Sequence, residues 1–382
     1  MRRLVPVLLV VLAAALAAGG ASAQCPADAA AGPVREATAR LQAVHAEDMD
    51  TEVPAAARAR LATLKARLAD LADAEMGCAG PDARAEDVQA DLQRLAGLDG
   101  GDESPGAGYG RGLDFAVRRW PGGRIGIVAT VGIQCGSDAS LFVFERTPDG
   151  WREAIRWQAP PYAQVSGGFE AFDYALSPPG PDGRWFAVAK SVTPWCSSTW
   201  AQIRWAILRP GLSPAAPRVL RAATESIWWG GDDTGSVEAG ERTAELRWHA
   251  ESIDTDVHNR PWIRRFVVDE DAARRIAPVA ETPRDFADEW IVTPWREAAA
   301  WTAPAARRPS AALHDRLRRL HFLSYTSLRA CPAGLVQVAL EKDGARYFLR
   351  VSEGPDYRLV SVARRPDPRC RGPNQLPEPE PQ

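Results

Sequence analysis

The sequence predicts a multidomain α+β protein. It reads as an N-terminal helical bundle, a central antiparallel all-β domain (a sandwich or propeller-like), and a small C-terminal α+β domain with a three-stranded meander. Three observations predict this. Leucines recur at spacings of three and four within residues 33–97. Short runs alternating apolar with polar residues fill 113–280. A helical stretch then returns and is followed by three further alternating runs. These are the 3.6- and 2-residue periods of half-buried helices and strands.

The chain has 382 residues, a formal net charge of −3, 25% charged and 46% hydrophobic residues. These values are those of globular protein and exclude a largely disordered, collagenous or multi-span membrane chain. Without a basic excess, dedicated nucleic-acid binding is not expected. Only Lys65, Lys190 and Lys342 of the 46 basic residues are lysine. With abundant Ala, Gly and Pro, this reads as a coding bias, not as phosphate recognition.

Residues 1–23 form a signal peptide: Arg2-Arg3, an apolar run Leu4–Ala18, then Ala21-Ser22-Ala23 as a small-x-small cleavage site. Cleavage after Ala23 starts the exported chain at Gln24, and no later stretch is long and apolar enough to span a bilayer. Residues 24–98 are the helical domain. Leu61, Leu64, Leu68 and Leu71 share one helix face, Val88, Leu92 and Leu95 another, and an earlier helix covers Val34 to about Asp48. Residues 99–112 are a Gly-rich linker.

Residues 113–282 are the β domain. Ile125, Ile127, Ala129, Val131 and Ile133 mark one half-buried strand; Ile203, Trp205, Ile207 and Leu246, Trp248, Ala250 mark others. Strands are also expected at 113–120, 139–146, 151–158, 169–176, 185–193, 218–228, 262–268 and 273–279, with turns at Asp149-Gly150 and Asp182-Gly183. Leu176-Ser177-Pro178, then Pro181-Asp182-Gly183-Arg184-Trp185-Phe186-Ala187-Val188-Ala189, resembles a blade motif of TolB-type β-propellers, with three residues interrupting Ser-Pro-Asp-Gly. The resemblance is confined to this stretch, and neither fold nor function is carried over from it.

Residues 283–365 are the small α+β domain: a helix over 284–302 broken near Pro294, a second over 310–323, and strands at Leu335–Leu340, Tyr347–Val351 and Arg358–Val362 with a hairpin turn at Asp343-Gly344. Residues 366–382, rich in Pro and Glu, read as a disordered tail. Six cysteines remain after cleavage, and an even count in an exported chain suggests disulfides. Assigned by domain, they pair as Cys25–Cys78, Cys135–Cys196 and Cys331–Cys370. The absence of CxxC argues against a thioredoxin-like redox site or a zinc ribbon.

The sequence singles out no reaction. Asp233-Thr234-Gly235-Ser236 has the form of the aspartic-protease tetrad, but that chemistry needs two facing aspartates and no second copy exists, so an acidic turn is the expectation. His249, Asp254, Asp256 and His258 are legitimate metal-ligand types but read better as a solvated strand edge and loop, so no metal and no cofactor is expected. His314 and His321 border a leucine stripe. There is no GxSxG, HExxH or P-loop. Tryptophan is the distinctive feature, with 14 residues. Trp195, Trp200, Trp228, Trp229 and Trp262 fall near loops and strand ends, where amphipathic aromatics build binding surfaces or pack strands. The functional expectation is a non-catalytic recognition or interaction protein of the bacterial cell envelope, periplasmic or secreted, whose partner is an envelope protein or glycan. The alternatives are a secreted hydrolase of envelope glycans and an assembly protein acting through the N-terminal helices.

Overall fold

The computed structural model describes residues 25–45, 53–98, 108–133, 136–159, 172–193, 200–228, 235–254, 260–320, 322–354 and 356–376. The signal peptide, Cys135, Cys196, Trp195, Trp229, Asp233, Asp256, His258 and His321 lie outside them. Three helices open the fold: α1 (Pro26–Gln42), α2 (Ala55–Cys78) and α3 (Ala85–Ala96). α1 begins well before the expected Val34. Pro26 occupies its first turn, where a missing N–H costs nothing, and the stripe Ala27, Ala31, Val34, Ala37 and Leu41 stays buried straight across Pro33. Cys25–Cys78 ties the start of α1 to the end of α2.

Among the described residues, twelve strands follow as three antiparallel meanders. The first sheet is β1 (Asp114–Trp120), β2 (Arg124–Ile133), β3 (Gly136–Thr147) and β4 (Gly150–Gln158). The second is β5 (Phe172–Leu176), β6 (Ala187–Thr193), β7 (Trp200–Ser213) and β8 (Ala216–Trp228). The third is β9 (Ser236–Ala239), β10 (Thr243–Ala250), β11 (Arg260–Val268) and β12 (Ala273–Arg275). Each sheet pairs its strands in chain order and none closes on itself. Between β5 and β6, Ser177 Oγ accepts from Phe186 N at 3.0 Å and Asp182 accepts from Arg184 N at 3.0 Å, so the residues resembling a blade motif build the tight connection.

The sheets stack face to face. The helices do not form a separate bundle: Leu61, Leu64 and Leu92 share one core with Ile125, Ile127 and Phe142 of the first sheet. The opposite face of that sheet (Val128, Leu141, Val143, Ile155) packs on Leu176, Ala189 and Leu208 of the second. The second sheet in turn buries Val188, Ile203 and Trp205 against Leu246, Trp248 and Phe266 of the third. β2 is therefore buried on both faces rather than half-buried. Gly126 lets the layers approach, since a Cβ there would lie 2.4 Å from the Tyr174 hydroxyl.

The C-terminal unit holds α4 (Pro283–Val292), a short α5 (Trp295–Ala298), α6 (Pro304–Arg318) and a sheet of four strands: β13 (Ser324–Cys331), β14 (Leu335–Lys342), β15 (Ala345–Ser352) and β16 (Arg358–Ala363). The expected meander had three strands. β13 is an edge strand with an irregular register and lacks the clean alternation that would announce it. Cys331 accordingly ends the first strand instead of preceding it, and it pairs with Cys370. Residues 366–376 run back along β13, with Asn374 bridging Arg329 and the Asp367 carboxylate held by Arg350 and Arg369. Two disulfides suggest an oxidising extracytoplasmic compartment. No described helix is long and apolar enough to cross a membrane.

Candidate functional site

β11 reads Arg260-Pro261-Trp262-Ile263-Arg264-Arg265-Phe266, and the strand period puts Arg260, Trp262, Arg264 and Phe266 on one face. Across the ladder these meet Ala250, Trp248, Leu246 and Ala244, the face that turns toward the second sheet. Arg275 of β12 pairs with Phe266 and joins the same face. Three guanidiniums thus enter a sheet-to-sheet interface, where an unpaired charge would be prohibitive.

Their partners come from two other elements. α4 starts at the Thr282 cap, whose hydroxyl accepts from Asp285 N at 3.1 Å, and buries Phe286 and Trp290. That places the adjacent Asp288 and Glu289 inside as well, both fully buried. Glu289 accepts from Arg264 Nη1 at 2.8 Å, Arg275 Nη1 at 2.8 Å, Arg260 Nη2 at 3.1 Å and the Thr293 hydroxyl at 2.7 Å. Burial alone pushes the Glu289 carboxyl up, but the guanidiniums of Arg264, Arg275 and Arg260 more than offset it and hold it well below the usual carboxylate range. Asp288 accepts from Ser252 Oγ at 2.7 Å and from the Tyr325 hydroxyl at 2.5 Å, with Arg260 Nε 3.1 Å away. Burial raises this carboxyl to about 6, against the pull of Arg260. From the second sheet, Glu225 of β8 takes Arg264 Nη2 at 2.7 Å and Trp205 Nε1 at 3.1 Å.

Beside this network lies a gap lined by the second sheet, the third sheet and the start of the C-terminal unit. β5 packs on β9 and β8 on β10, leaving β11 and β12 facing a gap that α4 and α5 close from one end. The gap is a cleft of about 590 Å³. Trp205 and Trp262 form aromatic walls, and the Arg264 guanidinium lies 3.8 Å over the Trp262 ring, which in turn meets Trp248 edge-on at 5.4 Å. At the rim, Arg221 pairs with Glu297 at 2.7 Å. Arg296 and Arg318 are exposed there; Arg318 donates only to the Val292 carbonyl, and Arg296 has no partner among the described residues.

The wall carboxylates Glu225 and Glu297 are each held by an arginine, and Glu289 is kept ionised. Asp288, the one carboxylate here that burial pushes toward neutrality, is enclosed and does not line the cleft.

Of the residues singled out in the sequence, Trp262 lies on the cleft. Trp200 and Trp228 are backbone partners at the ends of β7 and β8. His249 sits on the opposite face of β10 from Trp248, and Asp254 is buried under β13, accepting from Tyr325 N at 2.7 Å. Among the described residues no group of three His, Cys, Asp or Glu could hold a metal ion. His314 is fully buried, its Nε2 3.0 Å from the carbonyls of both Trp290 and Thr293. It braces the α4–α5 corner from α6, and burial lowers its pKa. Sequence reasoning passed over Arg260, Arg264, Arg275, Glu225 and Glu289. The available signal was the period that places Arg260 and Arg264 in step with Trp262 and Phe266. Compared with models of known protein families and with curated proteins, the sequence matches none.

Proposed function

We propose that this chain is a non-catalytic recognition protein of the bacterial cell envelope, periplasmic or secreted, and that it takes its ligand in the cleft between the second and third sheets. The observation that carries this reading is the cleft wall itself. Trp205 is held by Glu225, Arg264 by Glu225 and Glu289, and the Arg264 guanidinium lies over Trp262; a preorganised aromatic and guanidinium surface loses little freedom on binding. Sites of this kind occur where packed units meet, as the sheets and the C-terminal unit do here. Hydrolysis of a glycan is favoured less, because it needs a raised-pKa acid facing a second carboxylate across the substrate. Assembly through the N-terminal helices is favoured less, because the described large apolar side chains of α1–α3 are turned into the shared core.

Titration of the exported chain with a panel of envelope glycans and peptides, read by tryptophan fluorescence and melting temperature together, tests the reading. Binding to the folded state raises the melting temperature by mass action. Release of a cleaved product from any panel member would replace it with the hydrolase reading.

A further inference from the structure

Resting on that reading, we infer that the cleft selects an oxyanion-bearing glycan, its anion a carboxylate or a phosphate group. The cleft is rich in donors and poor in free acceptors. Six arginines line it against three glutamates, and two of those glutamates are already held by arginine. Beneath its floor, Arg260 Nη1, Arg275 Nε and Trp262 Nε1 are buried with no hydrogen-bond acceptor. Buried N–H groups left without acceptors are uncommon, and their positive ends raise the potential of the cavity above them. The floor guanidiniums are fixed by Glu225, Asp288 and Glu289 and cannot swing out to meet a ligand.

The contacts therefore fall to the rim. Arg296 and Arg318 stand there exposed; of the carboxylates lining the same space, Glu225 and Glu297 are already paired with Arg264 and Arg221, which leaves Glu251. A guanidinium with its fork unoccupied matches a carboxylate or phosphate with two parallel hydrogen bonds. Trp205 and Trp262 are nearly buried and show only their margins to the cleft, so apolar contact there is secondary to the guanidiniums. The cavity volume holds a short oligosaccharide.

The test uses the exported chain and its Arg296→Ala/Arg318→Ala double variant, both side chains being exposed and outside the core. Three probes are titrated at low salt by calorimetry: trigalacturonate, glucose 6-phosphate and maltotriose. The expected result is binding of an anionic probe, at least tenfold weaker in the double variant and weakened by 0.5 M salt, with maltotriose silent. Which anionic probe binds tells carboxylate from phosphate. Equal binding of maltotriose, or anion binding untouched by the double substitution, overturns the anion assignment and leaves recognition standing. Silence of all three probes overturns the anion assignment, and silence across the panel of envelope glycans and peptides as well removes the recognition reading.

Discussion

Arg264 and Glu289 meet 2.8 Å apart in the interior, and through that contact the third sheet is joined to the C-terminal unit. The same carboxylate serves Arg260 and Arg275. Replacing Glu289 by Gln keeps the shape, leaves Arg275 without its carboxylate partner, and takes one of two from Arg260 and from Arg264. Breaking a buried pair in this way costs about 3–5 kcal/mol. Urea unfolding of Glu289→Gln should show that loss. A double variant with Arg275→Met should recover part of it, since it removes the charge left without a carboxylate. A Glu289→Gln variant as stable as the parent would show the network to be dispensable.

Lys65 of α2 reaches Asp138 of β3 at 2.9 Å and the Ala159 carbonyl at 2.5 Å, both within the core between helices and first sheet. Lys65→Met leaves Asp138 buried without that cation and should destabilise by about 3 kcal/mol or more. Adding Asp138→Asn should restore most of the stability. Equal destabilisation by the single and double substitutions would mean the loss comes from packing alone.

The Asp288 carboxyl is raised by burial to about 6, from 3.8 when unburied. Its neutral form is favoured in the folded state, so its contribution is full at low pH and is lost as pH rises from about 4 through about 6. Two pK units correspond to roughly 3 kcal/mol. The stability difference between the parent and Asp288→Asn should fall by that order across this window and stay flat above it. A difference that grows with pH would mean Arg260 governs the group instead.

Gly126→Ala would drive a Cβ to 2.4 Å from the Tyr174 hydroxyl and 2.8 Å from its ring. Overpacking of this kind costs about 1–3 kcal/mol. Tyr174→Phe in the same chain should relieve only the hydroxyl share. Thermal melts of the four combinations measure the coupling, and strict additivity would show that the two sites do not press on one another.

Cys331–Cys370 closes a loop with a sequence separation of 39 residues. Loop-closure entropy assigns such a bridge about 4 kcal/mol as an upper figure. The double serine variant should lose up to that amount, with the edge from 366 to 376 released first. Protection of the Gln375 amide, which donates to Leu328 O, reports it directly by hydrogen exchange.

The order of helices and strands was legible because the core is apolar and periodic. Ile125 to Ile133 and Leu61 to Leu71 announce their elements through the residues they bury. What escaped was the second burial. Val128 and Gly126 face another sheet, and no single-strand pattern tells a water-facing side from one covered by a neighbouring layer. β13 escaped because edge strands alternate poorly. The cleft escaped for a different reason. Arg260, Arg264 and Glu289 are residue types that ordinarily face water, and their burial is decided by partners 14 to 39 positions away in sequence. Trp262 was legible as notable, but its arginine companion was not.

The four sheets each complete their pairing within one continuous stretch of chain, and the helices and first three sheets stack in the order in which they are encoded. A chain threaded outward from its N-terminus can therefore be laid down like courses of brickwork. Each finished layer offers a ready bed for the next, and no strand must wait for a distant partner to emerge. The pair of Arg221 in the second sheet with Glu297 in the C-terminal unit skips a course, so the cleft rim it closes is completed only after the last unit is in place.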